Sequence, residues 1–173
     1  MDSTNTTRPK TAEDVAALVG QAQAGGQPVT VIGGGHGPWS RGPEEGVRID
    51  LSALDRIDVA GPLVSVGGGA TWGVVADELA QHGLAISSGD TRSVGVGGLT
   101  LGGGIGWMVR AWGLAADQLV GAQIVTATGG IVETSATEHP ELFWALHGGG
   151  GNLGIVTRFD FQAHALPGIA YGE

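Results

Sequence analysis

With 173 residues, 42% of them hydrophobic and 14% charged, the chain has enough apolar mass for one domain, or for two small lobes around a shared ligand, and is not a disordered composition. A net charge of −9 argues against nucleic acid or an anionic membrane as partner. The absence of cysteine excludes disulfides, thiol catalysis, thiolate-held zinc and iron–sulfur clusters, and with no signal-like start and no apolar run of about 18 residues a cytoplasmic, soluble protein is expected.

In chain order, residues 1–10 are polar and read as a disordered tail. Thr11 followed by Asp14 resembles a capping box that opens a helix over TAEDVAALVGQAQA, with Val15, Leu18 and Ala22 on its apolar side and Gly25-Gly26 as its stop. PVTVI (28–32) reads as a buried strand that runs into Gly33-Gly34-Gly35-His36-Gly37. VRIDLS (47–52) predicts a second strand, and RIDVAGPLVSVGG (56–68) predicts two strands around a Gly61-Pro62 turn. Thr71 caps a predicted helix to about His82, with Val74, Val75 and Leu79 inward and Gly83 as terminator. These alternating elements predict an α/β lobe.

Farther along, SSGDTRSVGVGGLTLGGGIG (87–106) is dominated by glycine. LVGAQIVTATG, GIVETS and a strand from Leu153 onward read as long strands, with a Gly-Gly hairpin signal in ATGGIV. In GIVTRFDF the alternation puts Ile155, Thr157 and Phe159 on one face and Val156, Arg158 and Asp160 on the other. A short helix over HPELFWALH (139–147) interrupts the strands. The second part is therefore expected to be a mostly antiparallel sheet with helices. The predicted division is lobe 1 at 11–68, lobe 2 at 69–168, and a tail at 169–173.

Glycine is the anomaly, at 34 of 173 residues against a usual share of about 7%. Three stretches concentrate it. VIGGGHG (31–37) frees successive N–H groups to converge on an anion, although a tight structural turn explains it equally well. It is not a Rossmann turn, because the third glycine of G-x-G-x-x-G falls on Pro38, and it lacks the G-K-[ST] of a Walker A loop. In GVGGLTLGGGIGW (95–107) seven of thirteen residues are glycine, which suits a chain lying against a flat ligand. ELFWALHGGGGNLGIVT (141–157) feeds a helix through four glycines into a strand, with Asn152 as a backbone organiser. These stretches converge only if the fold wraps one large ligand with a flat part and a phosphate part.

In this order, and with D-Q-L (117–119) between them, the motifs resemble the FAD-binding (PCMH-type) domain of the vanillyl-alcohol oxidase superfamily, closest to the berberine bridge enzyme-like FAD-linked oxidases. The resemblance covers about residues 8–166. It implies an α+β, two-lobed FAD-binding domain with FAD between the lobes. By that resemblance Gly33, Gly34, Gly35 and Gly37 hold the diphosphate. Thr91, Gly95, Val96, Gly97, Gly98, Gly102, Gly103, Gly104 and Ile105 line the flavin side, and Ile155 and Val156 touch the other end of the groove. His36 takes the place of the histidine that carries the covalent flavin bond, an imidazole nitrogen being a competent nucleophile toward the flavin's benzylic methyl. The other histidines, His82, His139, His147 and His164, read as surface residues.

Departures from the family pattern sharpen these expectations. The second attachment cysteine of many relatives is Thr91 here, so attachment is expected through His36 alone. The position before the four glycines, often arginine, is His147. Val94, a small aliphatic residue before Gly95, implies room for dioxygen. By the resemblance, the substrate domain that follows in relatives, and with it the usual source of a catalytic base, is expected to be missing from these 173 residues. The only tyrosine is Tyr171, and the acidic pairs Glu44-Glu45 and Asp77-Glu78 read as solvated surface. No catalytic residue and no metal site is assigned. The implied function is hydride transfer from a substrate C–H to flavin N5 with reoxidation by oxygen. A missing or separate domain would supply the small-molecule substrate site. The alternative is a flavin-binding module, or truncated relic, without its own catalysis. An uncovered flavin face implies a homo-oligomer or a partner subunit.

Overall fold

The computed structural model describes residues 6–42, 45–166 and 168, except for the side chains of Trp39 and Arg41. Glu44 and Tyr171 lie outside the described residues.

The chain enters through β1 (Thr6–Thr7). The first helix, α1 (Ala12–Ala24), begins at the expected capping box: Thr11 Oγ1 accepts from Asp14 N at 3.1 Å, and Asp14 Oδ2 accepts from Thr11 N at 3.1 Å. Gly25 caps its end. Then come β2 (Val29–Ile32) and β3 (Val47–Asp50), which with β1 form a parallel sheet of order β1-β3-β2. Residues 6–8 thus depart from the expected tail: Thr6 and Thr7 pair with Arg48 and Ile49, and Arg8 Nε donates to Asp50 Oδ2 at 2.6 Å.

The hairpin of β4 (Ile57–Ala60) and β5 (Leu63–Gly67) turns at Gly61-Pro62 as expected. It does not belong to the first lobe. β5 pairs along its length with β9 (Ile155–Gln162), so the hairpin forms one side of an antiparallel sheet of order β4-β5-β9-β7-β8. α2 (Trp72–Gln81) buries Val75 and Leu79, whereas Val74 points outward at 53% exposure. β6 (Leu84–Ala85) follows, then two short helices, α3 (Val96–Leu101) and α4 (Val109–Trp112), in the glycine-rich region where no helix was expected. β7 (Leu119–Val125) and β8 (Ile131–Ser135) form a hairpin, α5 (Pro140–Ala145) leads to β9, and β10 (His164–Ala165) pairs back onto β6.

The expected alternation along β9 breaks at one point. Gln123 pairs with Arg158 but Ile124 pairs with Val156, so Thr157 is the extra residue of a bulge. The bulge moves Val156 into the core of Phe159 and Phe161, while Ile155 joins a second core. That second core, with Val15, Val19, Val47 and Ile49, ties α1 and the small sheet to Val125 and Ile155 of the large one. The two sheets are thereby fixed relative to each other, and a cleft opens between them.

Candidate functional site: a glycine-walled cleft between the two sheets

The cleft has a volume of about 990 Å³. β2 forms one wall through Val29, Thr30 and Val31; being the outer strand of the small sheet, it leaves this side without a strand partner. The opposite wall is Gly97, Gly98, Leu101 and Gly102 of α3 and the turn after it. Gly98 and Gly102 are four residues apart and share a helix face. Gly150, Gly151, Asn152, Gly154, Ile155 and Val156 close one end, with Phe159 beneath. None of the described lining residues is charged, and besides main-chain groups only the side chains of Thr30 and Asn152 among them are polar.

All three glycine stretches thus contribute to one cavity, through Gly33 of the first, Gly97, Gly98 and Gly102 of the second, and the 150–156 segment of the third. Gly34, Gly35 and Gly37 lie at its rim. Among the described residues no backbone carbonyl accepts from their N–H groups, while the carbonyls of Gly35 and Gly37 are taken by the Ser40 hydroxyl at 3.2 and 2.7 Å. The loop thus turns its acceptors inward, which suits an anion cradle, while Gly34 N itself packs against Gly95. A Cβ on Gly34 would overlap the backbone N of Gly95, so these two glycines let the first and second stretches touch. His36 is exposed on this junction, with Nε2 2.9 Å from Ser93 Oγ.

Other expected residues sit elsewhere. Gly95 is buried at the junction, and Val96 points its side chain into the main core. Gly103 and Gly104 accept from Ala116 N and Ala115 N, and so pin their turn against Ala115–Ala116 behind the cleft. Thr91 is exposed and donates to Asp90. Ile105 and, next to it, Trp107 are 72% and 79% exposed. Asp77 pairs with Arg92 and Glu78 with His82, both at the surface. His82, His139 and His147 are exposed, but His164 is half-buried and stacked on Trp112 at 4.6 Å. Among the described residues no cluster suits a metal ion, and no helix is long and apolar enough to cross a membrane.

Sequence reasoning missed Gly42, Leu51 and Gly68 as lining residues. Gly67-Gly68-Gly69 was the available signal: a Cβ on Gly68 would strike the Val156 carbonyl and one on Gly69 the Leu51 carbonyl, so this triplet brings both sheets to the cleft.

An extended cleft walled by backbone, with free N–H groups at one rim and flat glycine faces along its length, defines a dinucleotide-cofactor domain of α+β type. The chain belongs to the FAD binding domain family, which it matches over residues 5–135, and its relatives are the berberine bridge enzyme-like FAD-linked oxidases of the vanillyl-alcohol oxidase superfamily. It is 41% identical over 159 residues to (R)-6-hydroxynicotine oxidase of Paenarthrobacter nicotinovorans, covering 90% of this chain and 35% of that protein. To glucooligosaccharide oxidase of Sarocladium strictum it is 40% identical over 166 residues, covering 93% and 33%. The crystal structure of 6-hydroxy-D-nicotine oxidase from Arthrobacter nicotinovorans superposes with a TM-score of 0.90 at 38% identity, over 92% of this chain and 36% of that one. A glucooligosaccharide oxidase from Acremonium strictum, described as carrying a 6-S-cysteinyl, 8α-N1-histidyl FAD, superposes with a TM-score of 0.86 at 39% identity, over 91% and 34%. The chain spans about a third of the length of these relatives.

Proposed function

We propose that this chain is the cofactor-holding part of an FAD-linked oxidase, with FAD extended along the cleft and tethered once, through His36. The observation that carries this is the meeting of three glycine stretches, spread over some 120 residues of sequence, on one uncharged cleft. The N–H groups of Gly34, Gly35 and Gly37 hold the diphosphate. Gly97, Gly98 and Gly102 let the chain lie flat along the cofactor, and Ile155 and Val156 meet its far end. Bound FAD supplies a two-electron acceptor that takes a hydride at N5 and is reoxidised by dioxygen. Thr91 stands where a second, cysteinyl tether would attach, and its hydroxyl cannot make that thioether.

Substrate recognition and the proton-accepting base come from outside this chain, either from further sequence or from a partner. Ile105 and Trp107 mark the face such a partner covers. The alternative is a flavin-binding module without catalysis of its own, favoured by a cleft whose described lining holds no charged side chain to act as acid or base.

Purified protein is expected to be yellow, with an absorption band near ~450 nm. The colour is expected to stay with acid-precipitated chain and to be lost from the precipitate in His36→Ala. Colourless protein that binds no added FAD refutes the proposal. Oxygen consumption with a panel of alcohols, sugars and amines separates the oxidase from the module, since failure of every substrate on the isolated chain favours the latter.

A further inference from the structure

We propose that Ser93 is the positioning residue of the flavin tether: its hydroxyl accepts the Nε2–H of His36 and leaves the Nδ1 lone pair as the nucleophile. This rests on the reading of His36 as the tether.

The 2.9 Å contact joins residues 57 positions apart in sequence. The platform under Ser93 is fixed on both sides. Arg92 O accepts from Gly73 N at 2.8 Å, Val94 O accepts from Trp72 N at 3.0 Å, and Val96 N donates to Ala70 O at 2.9 Å. Thr71 and Gly95 form an antiparallel bridge, and the Arg92 guanidinium reaches Asp77 at 2.6 Å. Ser93 is thus an exposed residue of a segment locked to the start of α2. His36 reaches it because Gly34 and Gly95 have no side chains to hold the two loops apart. Among the described residues nothing bonds His36 Nδ1. The hydrogen bond made by one ring nitrogen sets the protonation of the other, so a hydroxyl accepting at Nε2 selects the tautomer whose Nδ1 is free to attack.

The step balances as follows. The flavin 8α-methyl gives up a proton, and Nδ1 supplies the electron pair of the new C–N bond. The imidazole sheds its Nε2 proton through Ser93 to solvent. The ring gains two electrons, which dioxygen removes together with two protons as hydrogen peroxide.

The test uses chain labelled with ¹⁵N-histidine and expressed under riboflavin depletion. Long-range ¹H–¹⁵N spectra are expected to show His36 as the Nε2–H tautomer in the wild type and in Ser93→Thr, and as a tautomer mixture in Ser93→Ala. An Nδ1–H wild type, or a spectrum unchanged by Ser93→Ala, overturns the proposal. On addition of FAD, acid-stable flavin is expected to form about tenfold more slowly in Ser93→Ala, the low end of the loss seen when the partner orienting a metal-bound imidazole is removed, with most of the rate restored in Ser93→Thr. Equal rates, or a flavopeptide joined through Nε2, overturn it as well. Wild-type chain that binds FAD but never attaches it refutes the tether and with it this role of Ser93, whereas attached flavin with a tautomer spectrum unchanged in Ser93→Ala refutes the role alone.

Discussion

Gly98→Ala separates the cofactor reading from every purely structural reading of the glycines. Gly98 lies inside α3, on the cleft face, and a Cβ built there meets no atom within 4 Å. Alanine in a helix interior is favoured over glycine by about 0.5–1 kcal/mol. The cofactor-free chain should therefore become more stable, and for a protein of this size that corresponds to roughly 1–4 °C in Tm. The same methyl stands in the space assigned to FAD. Forcing an extra methyl group into a filled site costs about 1–3 kcal/mol, which weakens FAD binding by roughly 5- to 150-fold at 1.4 kcal/mol per decade. The perturbation moves folding and binding in opposite directions. Thermal melts of the FAD-free variant and fluorescence-quench titration with FAD measure the two effects. A higher Tm with unchanged FAD affinity would show that the cofactor does not lie against α3. A lower Tm would show that the space above Gly98 is not open.

Three further outcomes are expected. Burial alone would raise the Asp50 carboxyl, but the hydrogen bonds from Arg8 and Ser52 and the Arg8 charge outweigh it and hold the group below the usual carboxylate range. Its stabilisation is therefore complete above the ordinary carboxylate pKa of about 4 and is lost as pH falls through the lowered value; urea melts should show Asp50→Asn about 1 kcal/mol less stable at neutral pH through the lost charge-assisted bond to Arg8, and an equal gap in acid would refute the linkage. Phe159→Ala removes a fully buried ring from beneath the cleft and should cost about 3–5 kcal/mol in denaturant midpoint at unchanged m-value; a loss under 1 kcal/mol would misplace the core. Sedimentation should show the wild type self-associating and Trp107→Ser less so, and a strictly monomeric wild type at high concentration would refute the open-face argument.

What the sequence made legible was local. The Thr11–Asp14 box, the Gly61-Pro62 turn and the strands between glycine clusters follow from nearest neighbours, and all are present. Non-local pairing was not legible. Nothing within residues 56–68 says that Ser65 will face Asp160, 95 positions on, and this pairing moves the hairpin from one lobe to the other. α3 was hidden for a different reason. Two glycines in six residues cost about 1 kcal/mol each against alanine in a helix, and only the burial of Val96, Thr100 and Leu101 overrides that penalty. At the site, the convergence of the stretches was readable from composition, but the partner of His36 was not, because a lone serine in a polar run carries no signal until Gly34 and Gly95 bring the loops together.

The glycines divide by what a side chain would strike. At Gly34, Gly68, Gly69 and Gly154 it would meet another segment's backbone, so these residues set how closely the walls approach. At Gly35, Gly98 and Gly151 it would project into open space, so these residues set what the walls leave free. One group builds the cleft and the other keeps it clear, and both jobs are done by main chain. A wall of peptide groups reads an anion and a flat ring well, since N–H donors and bare Cα faces recognise charge and shape. It offers few side chains with which to distinguish one alcohol, sugar or amine from another. The same composition that first set the chain apart therefore suits the cofactor role proposed for this cleft better than it suits substrate choice.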